Sequence, residues 1–257
     1  MNLIMFSKNR PAQLELLLRS MHRYVDGISS ENVYVISSFD EMYADEYYAL
    51  ANKYGISLMP DEGIGFKDLL VHLVGGEEIM FLVDDNVFIN KFNPNVARDA
   101  LTSDPDLLCY STRLNMNMDY CYAYKTRMNA PKTDGTNRWL WKNAHGDYGY
   151  PMSLDGNVFR TENIYPLLQK LEYSNPNQLE GALAGNPPVG RYMACGDRSS
   201  VIGVPWNKVQ TENDNRCAGE SLEEMNEKYI HGERISMLPF KNLKPNAVHI
   251  EVPLVWE

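Results

Sequence analysis

The chain has 257 residues, 44% of them hydrophobic, and its 24 Lys and Arg residues against 34 Asp and Glu residues give a formal net charge of −10. This length predicts one large domain or two small ones, and the hydrophobic content excludes a disordered chain. The excess of acidic residues excludes a protein that binds nucleic acid over an extended surface without sequence preference, because such proteins neutralise phosphates with clustered Lys and Arg.

Targeting and redox signals predict a soluble, cytoplasmic protein. The apolar residues 1–6 meet Lys8 and Arg10 too soon to form a signal-peptide core. No apolar run approaches the ~20 residues that a membrane-spanning helix needs. The four cysteines contain no CxxC pair, so we expect ordinary reduced thiols.

The first 90 residues alternate short apolar runs with amphipathic segments. Strands are predicted at residues 3–6, 33–36, 56–59 and 79–83. Apolar side chains at helical spacing predict helices from Leu14 to Met21, from Tyr43 to Ala51 and from Phe66 to Leu73. This alternation is typical of an α/β fold with a mostly parallel central sheet flanked by helices.

The rest of the chain is less regular. Residues 111–160 are rich in Asn, Tyr, Trp and Gly and carry only weak strand signals near their ends. Long irregular segments in compact domains are often functional. Helices are predicted at residues 163–172, 176–184 and 221–230, and residues 247–256 as a terminal strand or extended arm. Because no linker separates the segments, we predict a single domain over residues 1–257.

The sharpest local feature is the pair Asp84 and Asp85, which directly follows the apolar strand at residues 79–83. The carboxyl edge of a parallel sheet is where open α/β folds bind ligands. Two adjacent carboxylates repel each other unless a cation lies beside them, and Mg²⁺ or Mn²⁺ prefers such oxygen ligands. The alternative interpretation is a polar turn in which one of these acids caps a helix.

A family resemblance starts from this motif. Residues 6–11 (FSKNRP), the leucine-rich helix that follows them and the later Asp84-Asp85-Asn86 resemble the GT-A fold nucleotide-sugar-dependent glycosyltransferases, in particular the family-2-like group. The resemblance covers residues 1–90 and is loose beyond. It implies a Rossmann-like GT-A fold, with residues 1–90 as the nucleotide-binding half and residues 91–257 as the acceptor-binding half.

The resemblance also implies an activity. It is the metal-dependent transfer of a sugar from a nucleoside-diphosphate sugar, a UDP-sugar above all, to a hydroxyl of a polysaccharide, glycolipid or other glycan. In the family a DxD-type motif holds Mn²⁺ or Mg²⁺, whereas this chain has Asn86 where a strict motif has the second acid. The implied metal ligands are Asp85, Asn86 and His249. The implied nucleotide contacts are Ser7, Arg10, Lys67, Asp84 and Lys208.

Several of these residues have a structural alternative. Arg10 in a Ser-Lys-Asn-Arg loop is often simply solvated. Lys67 follows Gly63-Ile64-Gly65, which lacks the third glycine of a dinucleotide fingerprint. A lone histidine between Val248 and Ile250 is often a hydrogen-bonded core residue rather than a ligand.

An inverting transferase needs a carboxylate that takes the proton of the acceptor hydroxyl. Glu180, in the first turn of the helix that starts at Asn175-Pro176, is the first candidate, and Asp155 of the Asp155-Gly156 turn is the second. The alternatives are an acid favoured by the helix dipole at Glu180 and a simple hairpin turn at Asp155.

Four aromatic side chains crowd the irregular segment, namely Trp139, Trp141, Tyr148 and Tyr150. The C–H faces of sugars stack on aromatic rings, which favours a role at a sugar site. The alternative is that these rings are buried and anchor the loop.

Two other functions compete with the glycosyltransferase hypothesis. A nucleotidyltransferase acting on a sugar phosphate has a similar core, but such enzymes usually carry a glycine-rich loop after the first strand, and residues 7–10 contain no glycine. A non-catalytic carbohydrate- or nucleotide-binding protein would keep the aromatic loop and a cleft without needing the acids.

Overall fold

The structure is a computed structural model that describes residues 1–133, 135–210 and 216–257. Its first part contains β1 (Asn2–Lys8), α1 (Pro11–Tyr24), β2 (Val33–Ser38), α2 (Ala44–Tyr54), β3 (Ser57–Pro60), α3 (Phe66–Leu73) and β4 (Glu78–Val83). Every strand and helix predicted for the first 90 residues is therefore confirmed.

The second part contains β5 (Asn86–Phe88), α4 (Pro94–Ser103), β6 (Leu107–Ser111), β7 (Tyr120–Cys121), β8 (Thr126–Arg127), β9 (Arg138–Leu140), β10 (Asn157–Arg160), α5 (Thr161–Lys170), α6 (Pro176–Gly185), β11 (Tyr192–Cys195), β12 (Val201–Gly203) and α7 (Leu222–Ile230). The three helices predicted here are confirmed to within two residues at each end. Residues 247–256 form an extended arm that makes only single bridges, at His249 and Trp256, within the described chain.

One large sheet organises the chain, with the strand order β3-β2-β1-β4-β10-β6-β11-β9. The pairs β1–β2, β2–β3, β1–β4 and β6–β11 are parallel, and only β10 and β9 run against their neighbours. The predicted α/β fold with a mostly parallel central sheet flanked by helices is confirmed. Because β4 pairs with β10, residues 1–90 and 91–257 share this sheet.

Local sequence explains where the helices begin and end. Pro11 and Pro176 occupy the first turns of α1 and α6, where a missing N–H costs no hydrogen bond. The Asn175 side chain caps α6 by accepting a hydrogen bond from the backbone N–H of Gln178. Gly55 ends α2 in a left-handed conformation with φ of 64°.

Hydrophobic packing on both faces explains why β1 is a continuous apolar run. Leu3 and Met5 belong to one buried cluster, whereas Ile4 and Phe6 belong to a second one. Side chains alternate across a strand, so a strand buried on both faces needs an apolar residue at every position. The sheet is thus covered on each side.

Topology brings four chain segments to one edge of the sheet. After β1 the chain moves outward to β2 and β3 and then returns to the other side of β1 as β4, which creates a crevice at the carboxyl ends of β1 and β4. The parallel strand β6 also ends at this edge, and the antiparallel strand β10 begins there. Polar residues that flank these strand ends therefore lie close together.

The described residues contain neither a membrane-spanning helix nor a disulfide bond. None of their helices is long and apolar enough to cross a bilayer. All four cysteines are free. Burial raises the pKa of the Cys109 thiol, which keeps it protonated.

Candidate active site

Asp84 connects the ends of β1 and β4 at the crevice. Its Oδ2 accepts hydrogen bonds from Ser7 Oγ at 2.9 Å and from the backbone N–H of Lys8 at 3.1 Å. Its Oδ1 accepts from Arg10 Nη1 at 2.8 Å, and both partners of this ion pair are more than 90% buried. Both oxygens of Asp84 are therefore engaged by the loop that follows β1.

The same loop is tied to distant parts of the chain. Arg10 Nη2 donates to the carbonyl oxygen of Asn207 at 2.7 Å. The backbone N–H of Arg10 donates to the Tyr47 hydroxyl at 3.0 Å, and that hydroxyl also lies 2.7 Å from Ser7 Oγ. Buried groups joined by several hydrogen bonds favour one loop conformation. Arg10 is thus a buried, paired residue rather than a solvated one.

Asp85 differs sharply from its neighbour. Its Oδ1 is buried and has no hydrogen-bond partner among the described residues. The pKa of Asp85 is raised to about 6, by burial first and also by the charges of Asp155 and Asp84, against the opposing effects of Arg10 and His249. Asp85 is therefore a buried carboxylate at the β1/β4 crevice whose negative charge is only partly balanced by nearby cations.

Asp155 lies just before β10, in a turn that Gly156 closes with φ of 83°. Its Oδ2 lies 3.1 Å from His249 Nε2 and 3.5 Å from Arg113 Nη1. Burial alone would raise the pKa of Asp155, but His249 and Arg113 lower it below its ordinary value. Burial alone would lower the pKa of His249, but Asp155 raises it, which favours an imidazolium that donates to the carboxylate.

A glycine allows His249 to reach this position. The backbone N–H of Gly203, at the end of β12, donates to the Val248 carbonyl at 2.8 Å, and the N–H of Ile250 donates to the Gly203 carbonyl at 3.0 Å. A Cβ on Gly203 would overlap the imidazole ring of His249. Since β12 pairs with β5, directly after Asp85, the extended arm delivers His249 to the crevice.

Glu180 joins the group from α6. The prediction that it lies in the first turn is wrong, because α6 begins at Pro176 and its first turn holds no acidic residue. Its Oε2 accepts from the backbone N–H of Leu154 at 3.4 Å. The pKa of Glu180 is raised to about 7, by burial first and then by the charge of Asp155, against the opposing effects of Arg113, the Tyr150 hydroxyl and the Leu154 N–H. A carboxyl with a pKa near the working pH is suited to taking up a proton.

Arg113 is a residue that sequence reasoning missed. It follows β6, its side chain is 3% exposed, and Nε and Nη2 have no hydrogen-bond partner among the described residues. Its charge lowers the pKa of both Asp155 and Glu180. The sequence carries no clear signal for Arg113, because the strand signal that precedes it, near the start of residues 111–160, is weak.

The remaining candidates lie at different distances from the crevice. Asn86 Oδ1 accepts from the backbone N–H of Val83 at 2.9 Å and so closes the turn between β4 and β5. Lys208 is exposed and directly follows Asn207, the partner of Arg10. Lys67 lies elsewhere, on the surface between α3 and α5, where its Nζ contacts Glu172 Oε1 at 3.0 Å.

The four aromatic residues separate into two pairs. Trp139 and Tyr148 are fully buried, pack edge to face with centroids 5.5 Å apart, and are joined by a 2.8 Å hydrogen bond from Trp139 Nε1 to the Tyr148 carbonyl. This pair anchors the irregular segment, as the alternative interpretation states. Trp141 and Tyr150 remain partly exposed and line one pocket together.

The protein side chains alone do not form a complete metal cage. In the described ranges no three His, Cys, Asp or Glu side chains are arranged to hold a metal ion. Asp85 nevertheless presents a buried oxygen without a partner, which is the kind of atom that a hard cation satisfies. The donor set therefore fits an ion that takes its other ligands from substrate and water.

No family model matches the chain. A bifunctional glycosyltransferase, pgtA of Dictyostelium discoideum, is 26% identical over 86% of this chain. The chain spans about a third (34%) of the length of that relative.

Three solved structures are similar at low sequence identity. TarS of S. aureus (residues 1–349) has a TM-score of 0.46 and 15% identity over 79% of this chain and 60% of its own. Glucosyl-3-phosphoglycerate synthase of Mycobacterium tuberculosis was solved with Mn²⁺, UDP and glucosyl-3-phosphoglycerate. It has a TM-score of 0.42 and 14% identity over 76% of this chain and 68% of its own. A CMP:2-keto-3-deoxy-manno-octonic acid synthetase complexed with CTP has a TM-score of 0.43 and 13% identity over 76% of this chain and 88% of its own.

Proposed function

We propose that this chain is a metal-dependent GT-A glycosyltransferase that moves a sugar from a UDP-sugar to a hydroxyl of a glycan. The observation that carries the proposal is the convergence of two unlike carboxyls at the β1/β4 crevice. Asp85 has an unsatisfied buried oxygen, and Glu180 has a pKa of about 7. The sequence similarity to a glycosyltransferase supports it.

The nucleotide is proposed to bind across the carboxyl ends of β1 and β4. Asp84 has both oxygens engaged by Ser7, Lys8 and Arg10, so it acts by fixing the shape of this loop. Ser7 and Arg10, which hydrogen-bond to Asp84, are proposed to form part of the nucleotide site. Lys208, on the surface beside Asn207, is proposed to contact the diphosphate. Lys67 is the weakest nucleotide candidate, because it pairs with Glu172 away from the crevice.

Mn²⁺ or Mg²⁺ is proposed to bind at Asp85, with Asn86 and His249 on either side. A divalent ion at this place supplies neutralisation of the diphosphate leaving group. The uncompensated carboxylate of Asp85 is the protein group that fits it best. His249 is the less favoured ligand candidate, because its Nε2 already lies 3.1 Å from Asp155 Oδ2.

Glu180 is proposed as the base that accepts the proton of the acceptor hydroxyl. A base must be unprotonated at the working pH and still basic enough to take a proton, and a pKa of about 7 meets both conditions. Asp155 is the second candidate, but its pKa is lowered and its Oδ2 is paired with His249. A base that takes the proton of the acceptor hydroxyl is the group that an inverting transferase needs.

Turnover of nucleotide sugars tests this proposal. The protein with Mn²⁺ is incubated with UDP-glucose, UDP-galactose, UDP-N-acetylglucosamine and GDP-mannose, and release of the nucleoside diphosphate is measured. We expect UDP release that falls at least tenfold in Asp85→Asn and about 10²–10⁴-fold in Glu180→Gln.

The matched control is Glu172→Gln, since Glu172 is an exposed acid outside the crevice. Release of pyrophosphate from a nucleoside triphosphate and a sugar phosphate would instead identify a nucleotidyltransferase. Absence of nucleoside diphosphate release from all four donors would contradict the proposal.

A further inference from the structure

We infer that the pocket between Trp141, Tyr150 and Ala184 binds a pyranose ring of the acceptor, which makes the acceptor a carbohydrate. The inference rests on the proposed function, since it assigns the acceptor side of the same site. The pocket has a volume of about 70 Å³ and is completed by Gly149, Pro151, Met152 and Pro187.

The pocket lies beside the proposed base. Ala184 and Glu180 are four residues apart on α6, which places them one above the other on the same helix face. Tyr150 lines the pocket, and its hydroxyl interacts with the Glu180 carboxyl. The backbone also connects them, because Leu154, which donates to Glu180, follows Pro151 and Met152 of the pocket wall. A ring bound in this pocket therefore contacts Tyr150, the residue whose hydroxyl interacts with the Glu180 carboxyl.

The chemistry of the lining selects among acceptor classes. None of the described residues that line the pocket carries a charge, which disfavours a phosphate or carboxylate group there. Its small volume is unsuited to a lipid chain but admits one face of a ring. Indole and phenol rings offer apolar faces together with polar edges, as the alternating C–H and O–H groups of a sugar require.

The walls of the pocket are held before any ligand binds. Trp141 Nε1 donates to the Gly190 carbonyl at 3.0 Å, which fixes the indole plane. The buried pair Trp139 and Tyr148 anchors the segment between the two wall residues. Preorganised walls reduce the entropy lost on binding, which matters for weakly bound saccharides. This arrangement explains why one aromatic pair is buried and the other is left open.

Direct saccharide binding tests the inference without requiring turnover. Methyl glycosides of glucose, galactose, mannose and N-acetylglucosamine are titrated with the full chain, and saturation-transfer NMR detects which ring protons contact it. We expect transfer to the C–H protons of at least one glycoside, lost in Trp141→Ala and retained in Trp141→Phe. The control Tyr124→Ala removes a 73% exposed aromatic residue outside the pocket and should leave the signal intact.

A second readout separates this inference from the proposed function. With the best glycoside as acceptor, Trp141→Ala should raise the acceptor KM about tenfold, a loss near 1.4 kcal/mol, while the Kd for UDP stays within twofold. Equal NMR signals in Trp141→Ala and the unmodified protein, or binding of none of the four glycosides, would overturn the inference. Glycoside binding at Trp141 without any UDP binding would support the pocket and contradict the transferase.

Discussion

Asp155 and His249 are 94 residues apart in the chain, and the Asp155 Oδ2 lies 3.1 Å from the His249 Nε2. This contact joins the turn before β10 to the extended C-terminal arm. Each partner shifts the pKa of the other toward its charged form, since the pKa of Asp155 is lowered and that of His249 is raised. The pair therefore links the geometry of the crevice to pH.

The first prediction concerns stability in His249→Gln. The contribution of His249 is complete below its unfolded pKa of about 6.5 and is lost as pH rises through its higher folded pKa. That of Asp155 is present above its unfolded pKa of about 3.9 and is lost as pH falls through its lower folded pKa. We expect His249→Gln to destabilise by about 2 kcal/mol near pH 5.5 and by less at pH 9.

Thermal unfolding across this pH range checks the prediction, with His231→Gln, an exposed histidine that ends α7, as the control. A loss of stability in His249→Gln that is the same at pH 5.5 and pH 9 would rule out a charged pair.

The second prediction concerns the pH dependence of transfer. Glu180 acts as a base only when unprotonated, so kcat/KM should fall below a pKa of about 7. Arg113 lowers the pKa of Glu180, and removing its charge in Arg113→Met should move the acid limb of the profile to higher pH. Arg113→Lys keeps the charge and should move the limb less.

Circular dichroism verifies that both variants fold. An acid limb at the same pH in Arg113→Met and in the unmodified protein would mean that another group carries the titration.

The third prediction concerns Gly203→Ala. The added Cβ would overlap the His249 ring and displace it from Asp155. Because the three atoms nearest to the added Cβ all belong to the His249 side chain, we expect a folded protein with donor turnover reduced at least tenfold. Gly181→Ala is the matched control, since a Cβ there meets nothing within 4 Å. Unchanged turnover in Gly203→Ala would show that the position of His249 does not matter for the reaction.

The parallel half of the fold could be predicted because its signals are local. Continuous apolar strands such as β4 and helices with apolar residues at fixed spacing are visible in short windows. The same windows identify Asp84 and Asp85 at the end of a strand. Helix α4 was missed although Asn93 and Pro94 form a capping pattern, since Leu101 is the only large apolar side chain on its buried face, beside Pro94 and Ala97.

The rest of the site depends on contacts between distant segments. Strands β5 and β12 have three residues each, too few for a periodic pattern, yet their pairing delivers His249 to the crevice. No short-range pattern marks Arg113, whose role arises from the carboxyls of Asp155 and Glu180 that the fold brings to it. The Gly63-Ile64-Gly65 sequence directly precedes α3 as expected, with Gly65 as its N-cap. Lys67 on α3 nevertheless contacts Glu172 and does not reach the crevice.

The aromatic segment shows why composition alone could not assign roles. Trp139 lies in β9, whereas Trp141 lies just beyond its end in a 3-10 turn, so strand alternation, which places residues i and i+2 on the same face, does not extend to Trp141. Trp139 packs into the core and Trp141 lines the pocket. The buried, anchoring interpretation is confirmed for Trp139 and Tyr148, and a sugar-binding role for Trp141 and Tyr150 stays a prediction.

Calorimetric titration of UDP is the measurement that tests the central claim most directly. The claim is that Asp85 and a divalent ion together bind the diphosphate at the β1/β4 crevice. We predict that UDP binds with Mn²⁺ present, that EDTA weakens binding at least tenfold, and that Asp85→Asn has the same effect as EDTA whereas Glu180→Gln binds UDP normally. UDP affinity that is equal with Mn²⁺ and with EDTA, or unaltered by Asp85→Asn, would contradict the account.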